Sequence, residues 1–319
     1  MSPPKAMLLC AGLGTRLRPL TNLLPKPLVP VANRPLMTYA LALLQKTGVR
    51  QVAVNLHHLG EKIRQEVKDG ADWGLKITYS PEDPILGTGG GVMRMRSFLR
   101  DGRFFLLNGD VLCGVDLKDV LRFHEERGAA ATMVVGPLPA GATYTPLLMD
   151  AEGWLVELKD ARRKPKGDTR QVMFLGIHVL EPRVFEFLPA EGFACINNQA
   201  YTAMIKQGLD VAAYFHGGFW FDLGTPASYL SANLSLLSGR VRPPQLDPLE
   251  GAEPGGVLLG EGVRLGRGVD LGPEVAVGDG CVIGDDAKIS RSVIWAGEEI
   301  APTVSLDHKI VAGERVLRV

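Results

Sequence analysis

The chain has 319 residues, of which 46% are hydrophobic and 22% are charged, as in ordinary globular proteins. Its 35 lysines and arginines balance 35 aspartates and glutamates, which excludes a strong net field toward nucleic acid or an anionic membrane. The length predicts two domains. We expect a cytoplasmic protein, since neither a signal-peptide pattern nor a membrane-length apolar run occurs and the cysteines are dispersed.

The first predicted element is a short buried strand that runs into a glycine-containing basic loop. Gly12, Gly14 and Thr15 let backbone N–H groups approach an anion closely. Arg16 and Lys26 follow, and neighbouring prolines stiffen the segment that carries them. Neither the dinucleotide fingerprint nor the GxxxxGK[ST] loop occurs here. The loop is therefore predicted to hold a polyphosphate, with an ordinary proline-rich surface loop as the alternative.

Predicted strands and helices alternate through the first half of the chain. The strands are residues 6–11, 49–56, 75–79, 103–108 and 129–135, and the helices are residues 36–46, 59–69, 92–99 and 116–127. This alternation is typical of an α/β fold, with a Rossmann-like, mainly parallel mixed sheet flanked by helices. Because ligands of such sheets bind beyond the carboxyl ends of the strands, we expect residues 12–16, 86–91 and 108–110 to converge on one cleft.

The second half has shorter elements and then a change of composition. Strand-like runs are predicted at 147–149, 154–158, 171–179 and 211–215, with helical runs at 182–188, 197–207 and 226–237. Residues 240–256 hold four prolines and several glycines, which predicts a linker. The predicted domains are therefore residues 1–239 and 257–319, joined by the linker 240–256.

A six-residue repeat follows the linker. Its first series is Val257, Val263, Val269, Val275, Cys281, Ala287 and Val293, and a second apolar series runs two residues later from Leu259 to Ala301. A hexapeptide period of this kind predicts a β-helix. So short a prism exposes apolar ends, which residues 300–319, another domain or another subunit is expected to cap.

Residues 12–31, GLGTRLRPLTNLLPKPLVPV, resemble the opening signature of the sugar-1-phosphate nucleotidylyltransferases, also called NDP-sugar pyrophosphorylases. Further motifs follow in the family's order: LGTGGG at 86–91, LNGD at 107–110, FLGIHVL at 174–180 and FWFDLGTPASYL at 219–230. The hexapeptide region is similar to the left-handed β-helix that some members carry. The resemblance therefore covers essentially the whole chain and implies the nucleotidyltransferase fold, and the chain looks similar to mannose-1-phosphate guanylyltransferases.

Members of this family join a nucleoside triphosphate and a sugar 1-phosphate, and release pyrophosphate. A sugar-phosphate oxygen attacks the α-phosphorus in line, so positioning and charge neutralisation supply most of the catalysis. The resemblance implies that Arg16, Lys26 and Asp110 are catalytic, with Lys26 bridging the α-phosphate and the sugar phosphate. It also implies that Asp110 and Asp222 hold Mg²⁺, a metal that prefers hard oxygen ligands.

The resemblance also names the residues that would bind the two substrates. The nucleotide is expected at Leu9, Ala11, Gly12, Gly14, Thr15, Arg16, Glu82, Gly87, Thr88 and Gly89, with Glu82 and Asp83 as acceptors for a guanine. The sugar phosphate is expected at Lys26, Asn108, Glu157, Lys164 and Gly176. Many relatives have Glu-Lys-Pro where this chain has Arg163-Lys164-Pro165, so Lys159 and Asp160 compete with Glu157 for the sugar.

The expected substrates are GTP and mannose 1-phosphate, or a related hexose or heptose 1-phosphate, with uridylyl or thymidylyl transfer as the alternative. Two other classes remain open: a non-catalytic subunit that senses a sugar nucleotide, and a β-helix acyltransferase that uses His308. We expect no nucleic-acid or membrane partner. A homo-oligomer is expected, formed through the β-helix.

Overall fold

A computed structural model describes residues 3–139, 141, 144–246, 249, 252 and 255–318. Residues 247, 248, 250, 251, 253 and 254 of the predicted linker lie outside the described residues. The chain forms two compact units. The first unit comprises Met1–Gly12, Ala40–Val111 and Val115–Trp220, and the second comprises Leu13–Tyr39, Leu112–Gly114 and Phe221–Val319.

The regular elements alternate from the start of the chain. The α-helices are α1 Leu36–Thr47, α2 Gly60–Val67, α3 Gly87–Arg94, α4 Arg96–Leu99, α5 Leu117–Arg127, α6 Thr202–Lys206 and α7 Pro226–Leu237. Short 3₁₀ turns occupy Thr15–Leu17, Leu20–Asn22, Lys26–Leu28, Ala71–Trp73 and Pro182–Phe187, and a π-helical turn occupies Asn197–Tyr201.

The strands are short at both ends of the chain and longest near its middle. They are β1 Lys5–Leu9, β2 Pro30–Val31, β3 Arg34–Pro35, β4 Gln51–Leu56, β5 Lys76–Pro81, β6 Phe104–Asn108, β7 Leu112–Cys113, β8 Ala131–Pro137, β9 Leu147–Asp150, β10 Leu155–Leu158, β11 Ala161–Arg162, β12 Thr169–Leu180, β13 Val211–Phe215, β14 Trp220–Phe221, β15 Val257–Leu259, β16 Arg264–Leu265, β17 Asp270–Leu271, β18 Val275–Val277, β19 Val282–Ile283, β20 Lys288–Ser290, β21 Ser292–Ile294, β22 Glu299–Ile300, β23 Ser305–Asp307, β24 Lys309–Ala312 and β25 Arg315–Arg318.

A mixed sheet organises the first unit, in the order β11-β10-β9-β12-β6-β1-β4-β5, with β8 paired to β12 and β13. Strands β6, β1, β4 and β5 run parallel, whereas β12 is antiparallel to β6, β8 and β9. The α/β fold predicted from the alternation is thus confirmed, and its central strands are apolar because helices and loops cover both faces.

The glycine run at 86–91 differs from the sequence prediction, which began the helix only at Val92. Helix α3 begins at Gly87 and includes the glycines. Glycine is a poor helix former, but a Cβ on Gly90 would lie 2.4 Å from the Gly192 carbonyl oxygen and one on Gly89 would lie 3.1 Å from Ala194 Cβ. Close packing against a distant segment therefore decides the local structure.

In the second unit, three parallel sheets follow one another around a prism, as in a β-helix. Their orders are β15-β18-β21-β24-β25, β16-β19-β22 and β17-β20-β23. The final strand, β25, pairs antiparallel with β24. The interior is an aliphatic cluster that includes Val257, Val275, Cys281 and Ile283.

The repeat shortens by one residue between β20 and β21. Val257 pairs with Val275, 18 residues along the chain, whereas Val275 pairs with Ser292, 17 residues along. A single residue, Arg291, joins β20 to β21, and its φ of 44° makes this turn possible.

The slip changes which side chains face the prism interior. The predicted phase holds for Cys281 and Ala287, but Ile294 rather than Val293 lies in the interior cluster. Val293 and Trp295 pack instead with side chains of α7. The hexapeptide phase predicted for Val293 is therefore wrong by one residue, because the turn before β21 is shortened.

Helix α7 is the apolar centre of the second unit. Thr225 caps it with a capping box formed with Ser228, and Pro226 occupies its first turn. Tyr229 on this helix donates a hydrogen bond to the Pro30 carbonyl at 2.5 Å and accepts one from Trp295 Nε1 at 3.0 Å. The β2–β3 turn, helix α7 and the β-helix are thus one packed body.

Candidate functional site

The carboxyl end of β1 lies between two polar strand ends in the first unit. Leu9 is in register with Asn55 on β4 and with Asn108 on β6. Gly109 N donates to the Leu9 carbonyl at 3.0 Å, which fixes the turn that follows β6. Ala11 is buried and Gly12 is exposed, with open space where a side chain would stand. This strand end therefore offers exposed backbone for a ligand.

The start of α3 packs against residues 192–196. Gly89 N donates to the Ala194 carbonyl at 2.8 Å, and Thr88 Oγ1 accepts from Ile196 N at 2.9 Å. Gly87, with a φ of 71°, is half-buried beside the ring of Phe193, which is 68% exposed. The Gly89 amide and the Thr88 hydroxyl are thus already used in positioning the turn.

Glu82 is buried, with 3% of its surface exposed. Its Oε1 accepts from Asn55 Nδ2 at 2.8 Å, and its Oε2 accepts from Leu86 N at 2.8 Å. Asn55 in turn accepts from Cys10 N at 2.7 Å. The carboxylate is therefore surrounded by protein donors, whereas Asp83 is exposed.

Gly176 lies where the pairing of β12 with β8 is interrupted by a bulge. Its φ is 84°, and a Cβ there would lie 3.0 Å from Asn108 Nδ2 and 3.0 Å from Val111 Cγ2. Only glycine fits, so the FLGIHVL motif keeps its backbone close to Asn108. Asp110, two residues beyond Asn108, is half-buried. Burial, and then the nearby charge of Asp110, raise the pKa of the Cys10 thiol.

The residues proposed to replace the family's Glu-Lys-Pro motif lie around the β10–β11 hairpin at one edge of the sheet. Glu157 Oε1 accepts from Arg162 at 3.1 Å. Arg163 pairs with Asp210 and lies over the Trp154 ring. Lys164 is exposed.

The two other candidates for the sugar in this stretch are Asp160, which is paired, and Lys159, which is exposed. Asp160 accepts from Lys206 at 2.5 Å, which lowers the pKa of that carboxyl. Lys159 is exposed. Glu157 and Asp160 thus have cationic partners within the first unit.

The basic loop belongs to the second unit, where successive 3₁₀ turns shape it. Gly14 has a φ of 61°, and a Cβ there would lie 2.8 Å from Thr21 Cγ2. The Gly14 carbonyl accepts from Thr21 Oγ1 at 2.9 Å and from Leu17 N at 3.0 Å. Thr15 is exposed and Lys26 is half-buried. The loop is thus held by hydrogen bonds within itself, and Thr15 and Arg16 are exposed.

Arg16 and Asp222 lie side by side in the second unit. Arg16 Nη1 is 3.5 Å from Asp222 Oδ2, and the side chains are 67% and 23% exposed. Gly224 makes room for them, because a Cβ there would lie 2.9 Å from Arg16 Nη1 and 2.9 Å from Asp222 Oδ1. A cation of the opening motif therefore lies next to an acid of the FWFDLGT motif, over two hundred residues later.

His308 lies on an exposed turn of the β-helix, with its Nδ1 3.0 Å from Asp307 Oδ2. Among residues 3–139, 141, 144–246, 249, 252 and 255–318, no group of three or more His, Cys, Asp or Glu side chains is placed to hold a metal ion. Within the same residues, no helix has the length and apolar character needed to span a membrane.

The structure brings some predicted residues together within each unit. In the first unit Leu9 is in register with Asn108, and Glu82 accepts from Leu86 N at the start of the 86–89 turn; in the second unit Arg16 lies beside Asp222. Sequence reasoning missed Asn55, Gly91 and Gly224. The signal for Asn55 was available, since an asparagine near the end of the apolar strand VAVNL needs a buried partner.

Comparisons with known proteins place the chain among nucleotidyl transferases. Residues 5–239 match the Nucleotidyl transferase family. The chain is 30% identical over 259 residues to a UTP–glucose-1-phosphate uridylyltransferase from Synechocystis sp., covering 77% of this chain and 66% of that protein. It is 33% identical over 237 residues to the mannose-1-phosphate guanylyltransferase catalytic subunit beta from Drosophila pseudoobscura pseudoobscura, covering 73% and 62%.

A third relative is the mannose-1-phosphate guanylyltransferase from Mycobacterium tuberculosis, 30% identical over 265 residues, which cover 80% of this chain and 73% of that protein. The chain thus covers just under two thirds of the length of the first two relatives and 73% of the length of the Mycobacterium tuberculosis protein.

A crystal structure of a Bacillus anthracis protein described as a glucose-1-phosphate thymidylyltransferase has the same fold. The TM-score is 0.61 at 22% identity, over 72% of this chain and 93% of that one. Since the family match spans well over half of the residues, the chain belongs to the nucleotidyl transferase family.

Proposed function

We propose that this protein is a sugar-1-phosphate nucleotidylyltransferase, which joins a nucleoside triphosphate and a sugar 1-phosphate and releases pyrophosphate. The observation that carries the proposal is the pairing of Arg16 with Asp222 at 3.5 Å beside Gly224. This pairing joins the basic loop and the FWFDLGT motif within the second unit. The names of the relatives, which are uridylyl and guanylyl transferases of sugar 1-phosphates, support the same activity.

In this proposal the sugar-phosphate oxygen attacks the α-phosphorus in line, and the chain supplies position and charge. Arg16 neutralises the departing pyrophosphate, and the exposed backbone of Gly12 and Thr15 contacts the triphosphate. Lys26 holds both the α-phosphate and the incoming sugar phosphate. The nucleophile is already an anion, so no side chain has to accept a proton from it.

The remaining assignments follow the positions of the side chains and backbone. Leu9, Ala11, Gly14 and the turn at 87–89 are proposed to contact the nucleotide. Asn108 and Gly176, which pack together, are proposed to contact the sugar. Glu157 and Lys164 remain proposed sugar-phosphate ligands, although Glu157 would first have to leave Arg162.

Asp110 and Asp222 are each proposed to ligate Mg²⁺, on the first and second unit respectively. Both are half-buried carboxylates, and hard oxygen donors of this kind suit a magnesium ion that is held mainly by phosphates. When bound, the metal would neutralise negative charge on the phosphates.

We propose GTP and mannose 1-phosphate, or a related hexose or heptose 1-phosphate, as the substrates. Two of the relatives described above are named as mannose-1-phosphate guanylyltransferases, which supports this choice. The Synechocystis relative is named as a uridylyltransferase, so transfer of a uridylyl or thymidylyl group is the alternative.

The test is pyrophosphate release from the full chain with each of GTP, UTP, dTTP and ATP against a panel of sugar 1-phosphates in the presence of Mg²⁺. We expect turnover with one preferred pair and strong dependence on the metal. Absence of pyrophosphate release from every pair, with a folded protein, would contradict the proposed activity. Turnover of UTP or dTTP in preference to GTP would select the alternative.

A further inference from the structure

A chain of buried hydrogen bonds joins two segments of the first unit that lie far apart in sequence. Cys10 N donates to Asn55 Oδ1 at 2.7 Å, and Asn55 Nδ2 donates to Glu82 Oε1 at 2.8 Å. Leu86 N donates to the other carboxylate oxygen at 2.8 Å. Asn55 is 2% exposed and Glu82 is 3% exposed, so water does not compete for these contacts.

The direction of each hydrogen bond is set by chemistry. Backbone N–H groups can only donate, and a carboxylate can only accept, so Asn55 must turn its oxygen toward Cys10 and its amino group toward Glu82. The two donors meet different oxygen atoms of Glu82, so a carboxylate accepts both, whereas an amide in the same place would turn its amino group toward one of them. Burying an ionised carboxylate costs free energy, and charge-assisted hydrogen bonds from two donors offset that cost.

The surroundings hold this pair of side chains closely. A Cβ on Gly91 would lie 2.8 Å from Glu82 Oε1 and 3.0 Å from Asn55 Nδ2, so helix α3 packs its backbone directly on them. The Glu82 backbone is also fixed, because its N–H donates to the Leu56 carbonyl at 2.7 Å. His57 Nδ1 lies 2.9 Å from the Glu82 carbonyl oxygen. The Glu82 carboxylate therefore has one defined position.

We infer that Glu82 and Asn55 are positioning residues for nucleotide binding, an inference that rests on the proposed function. They fix the strand end at residues 10–12 relative to the turn at 86–89, and both segments are proposed to contact the nucleotide. Glu82 acts through the backbone of these segments, without touching the base. Loss of the pair should therefore weaken nucleotide binding more than it affects the sugar 1-phosphate.

The test exploits the polarity of the hydrogen-bond chain. In Glu82→Gln the new amide offers one acceptor and one donor, so either Leu86 N–H or the Asn55 amino group faces another donor. In Asn55→Asp two carboxylates face each other at the former 2.8 Å contact.

The double variant Asn55→Asp/Glu82→Gln reverses the two side chains. The new carboxylate at position 55 accepts from Cys10 N and from the amino group of the new amide at position 82. The oxygen of that amide accepts from Leu86 N. Every hydrogen bond is then restored, with the charge moved from one side chain to its neighbour in the chain of contacts.

We expect each single variant to raise the KM for the nucleoside triphosphate by about tenfold. The KM for the sugar 1-phosphate should stay within about twofold and kcat within about threefold of the wild-type values. The double variant should return the triphosphate KM to within about threefold of wild type. A role in folding alone would lower thermal stability without a selective change in one KM.

Measuring the wild-type protein first tests the proposed activity separately from the positioning role of Glu82 and Asn55. No turnover by the wild type contradicts the proposed function. An active wild type with an unchanged triphosphate KM in Glu82→Gln, or a double variant no better than the singles, overturns the positioning role. If the single variants do not fold, the double variant decides: a folded protein with a wild-type-like triphosphate KM supports the role, and an unfolded one or a raised KM overturns it.

Discussion

The two units present their candidate ligand-binding groups in different ways. In the first unit the groups proposed to contact the nucleotide are mostly backbone, at Leu9–Gly12 and at Gly87, and the buried Glu82 carboxylate and Asn55 amide position them. In the second unit they include charged side chains: Arg16 and Lys26 on the basic loop, and Asp222 beside Arg16. Under the proposed function, the first unit contacts the nucleotide mainly through backbone and the second binds the phosphates mainly through charge, so substitutions in the two groups should have different effects.

Loss of a proposed charged group should have the largest effect. Lys26→Ala or Asp110→Ala is expected to lower kcat by about 10²–10³-fold or more, because the first removes a cation that neutralises the phosphates and the second removes a proposed ligand of Mg²⁺. Both proteins should unfold at close to the wild-type temperature. Pyrophosphate release and thermal unfolding are the measurements, with Lys76→Ala, an exposed lysine on β5, as the matched control. Full activity in either variant would contradict the site assignment.

The space beside the Arg16–Asp222 pair offers a sharper test of the second unit. Gly224→Ala puts a methyl group 2.9 Å from Arg16 Nη1 and from Asp222 Oδ1, so the flexible guanidinium must move. We expect about a tenfold rise in the triphosphate KM with little change in stability, because Arg16 is largely exposed. Gly102→Ala is the control, since nothing lies within 4 Å of its added methyl. If Gly224→Ala has wild-type kinetics, the Arg16–Asp222 pair does not contribute to triphosphate binding.

The buried polar groups of the first unit should make its stability depend on pH. Burial lowers the pKa of His178 to about 3, and the Tyr201 hydroxyl lies 2.6 Å from its Nδ1. The unfolded histidine titrates near 6.5, so it binds more protons than the folded one at lower pH. The free energy of unfolding should therefore be fully maintained above about pH 6.5 and fall by about 1.4 kcal/mol per unit below it.

Urea unfolding at pH 7 and pH 5 measures this contribution. The double variant His178→Leu/Tyr201→Phe removes both polar groups and should reduce the difference between the two pH values. Tyr201→Phe alone keeps the imidazole and should keep the difference. If the free energy of unfolding depends on pH equally in the wild type and the double variant, His178 is not the source of that dependence.

The smallest expected effect concerns the link between the β-helix and the β2–β3 turn. Trp295→Phe removes the N–H that donates to the Tyr229 hydroxyl at 3.0 Å, beside the Pro30 carbonyl. The loss should be about 1 kcal/mol in the free energy of unfolding, with faster tryptic cleavage after Arg16. Trp73→Phe, in a short turn of the first unit, is the control. Unchanged cleavage of the basic loop would show that the β-helix does not support it.

Much of the molecule was predictable because its determinants are local. The alternating apolar runs predicted the α/β order, and helix α7 begins and ends where its pattern indicates, at Pro226 and Leu237. Glycine positions with special backbone needs, such as Gly14 and Gly176, were found as parts of motifs. The chemistry proposed for the basic loop also came from the residues themselves, since a polyphosphate needs cations and close backbone amides.

Other features depended on contacts between residues far apart in sequence. The sequence predicted Glu82 as an acceptor for the nucleotide base. Its burial and its donors, Asn55 and Leu86, result from the packing of β4 and α3. Helix α3 includes glycines that propensity disfavours, because Gly192 and Ala194 allow no Cβ there.

The sequence by itself determined the alternating elements, the repeat and the basic loop, because hydrophobic period and residue chemistry are properties of short segments. Only the tertiary structure decided that this loop shares a compact unit with the β-helix, that Val293 leaves the repeat phase and that Arg16 lies beside Asp222. Those outcomes depend on which distant surfaces pack together, and a local pattern does not contain that information.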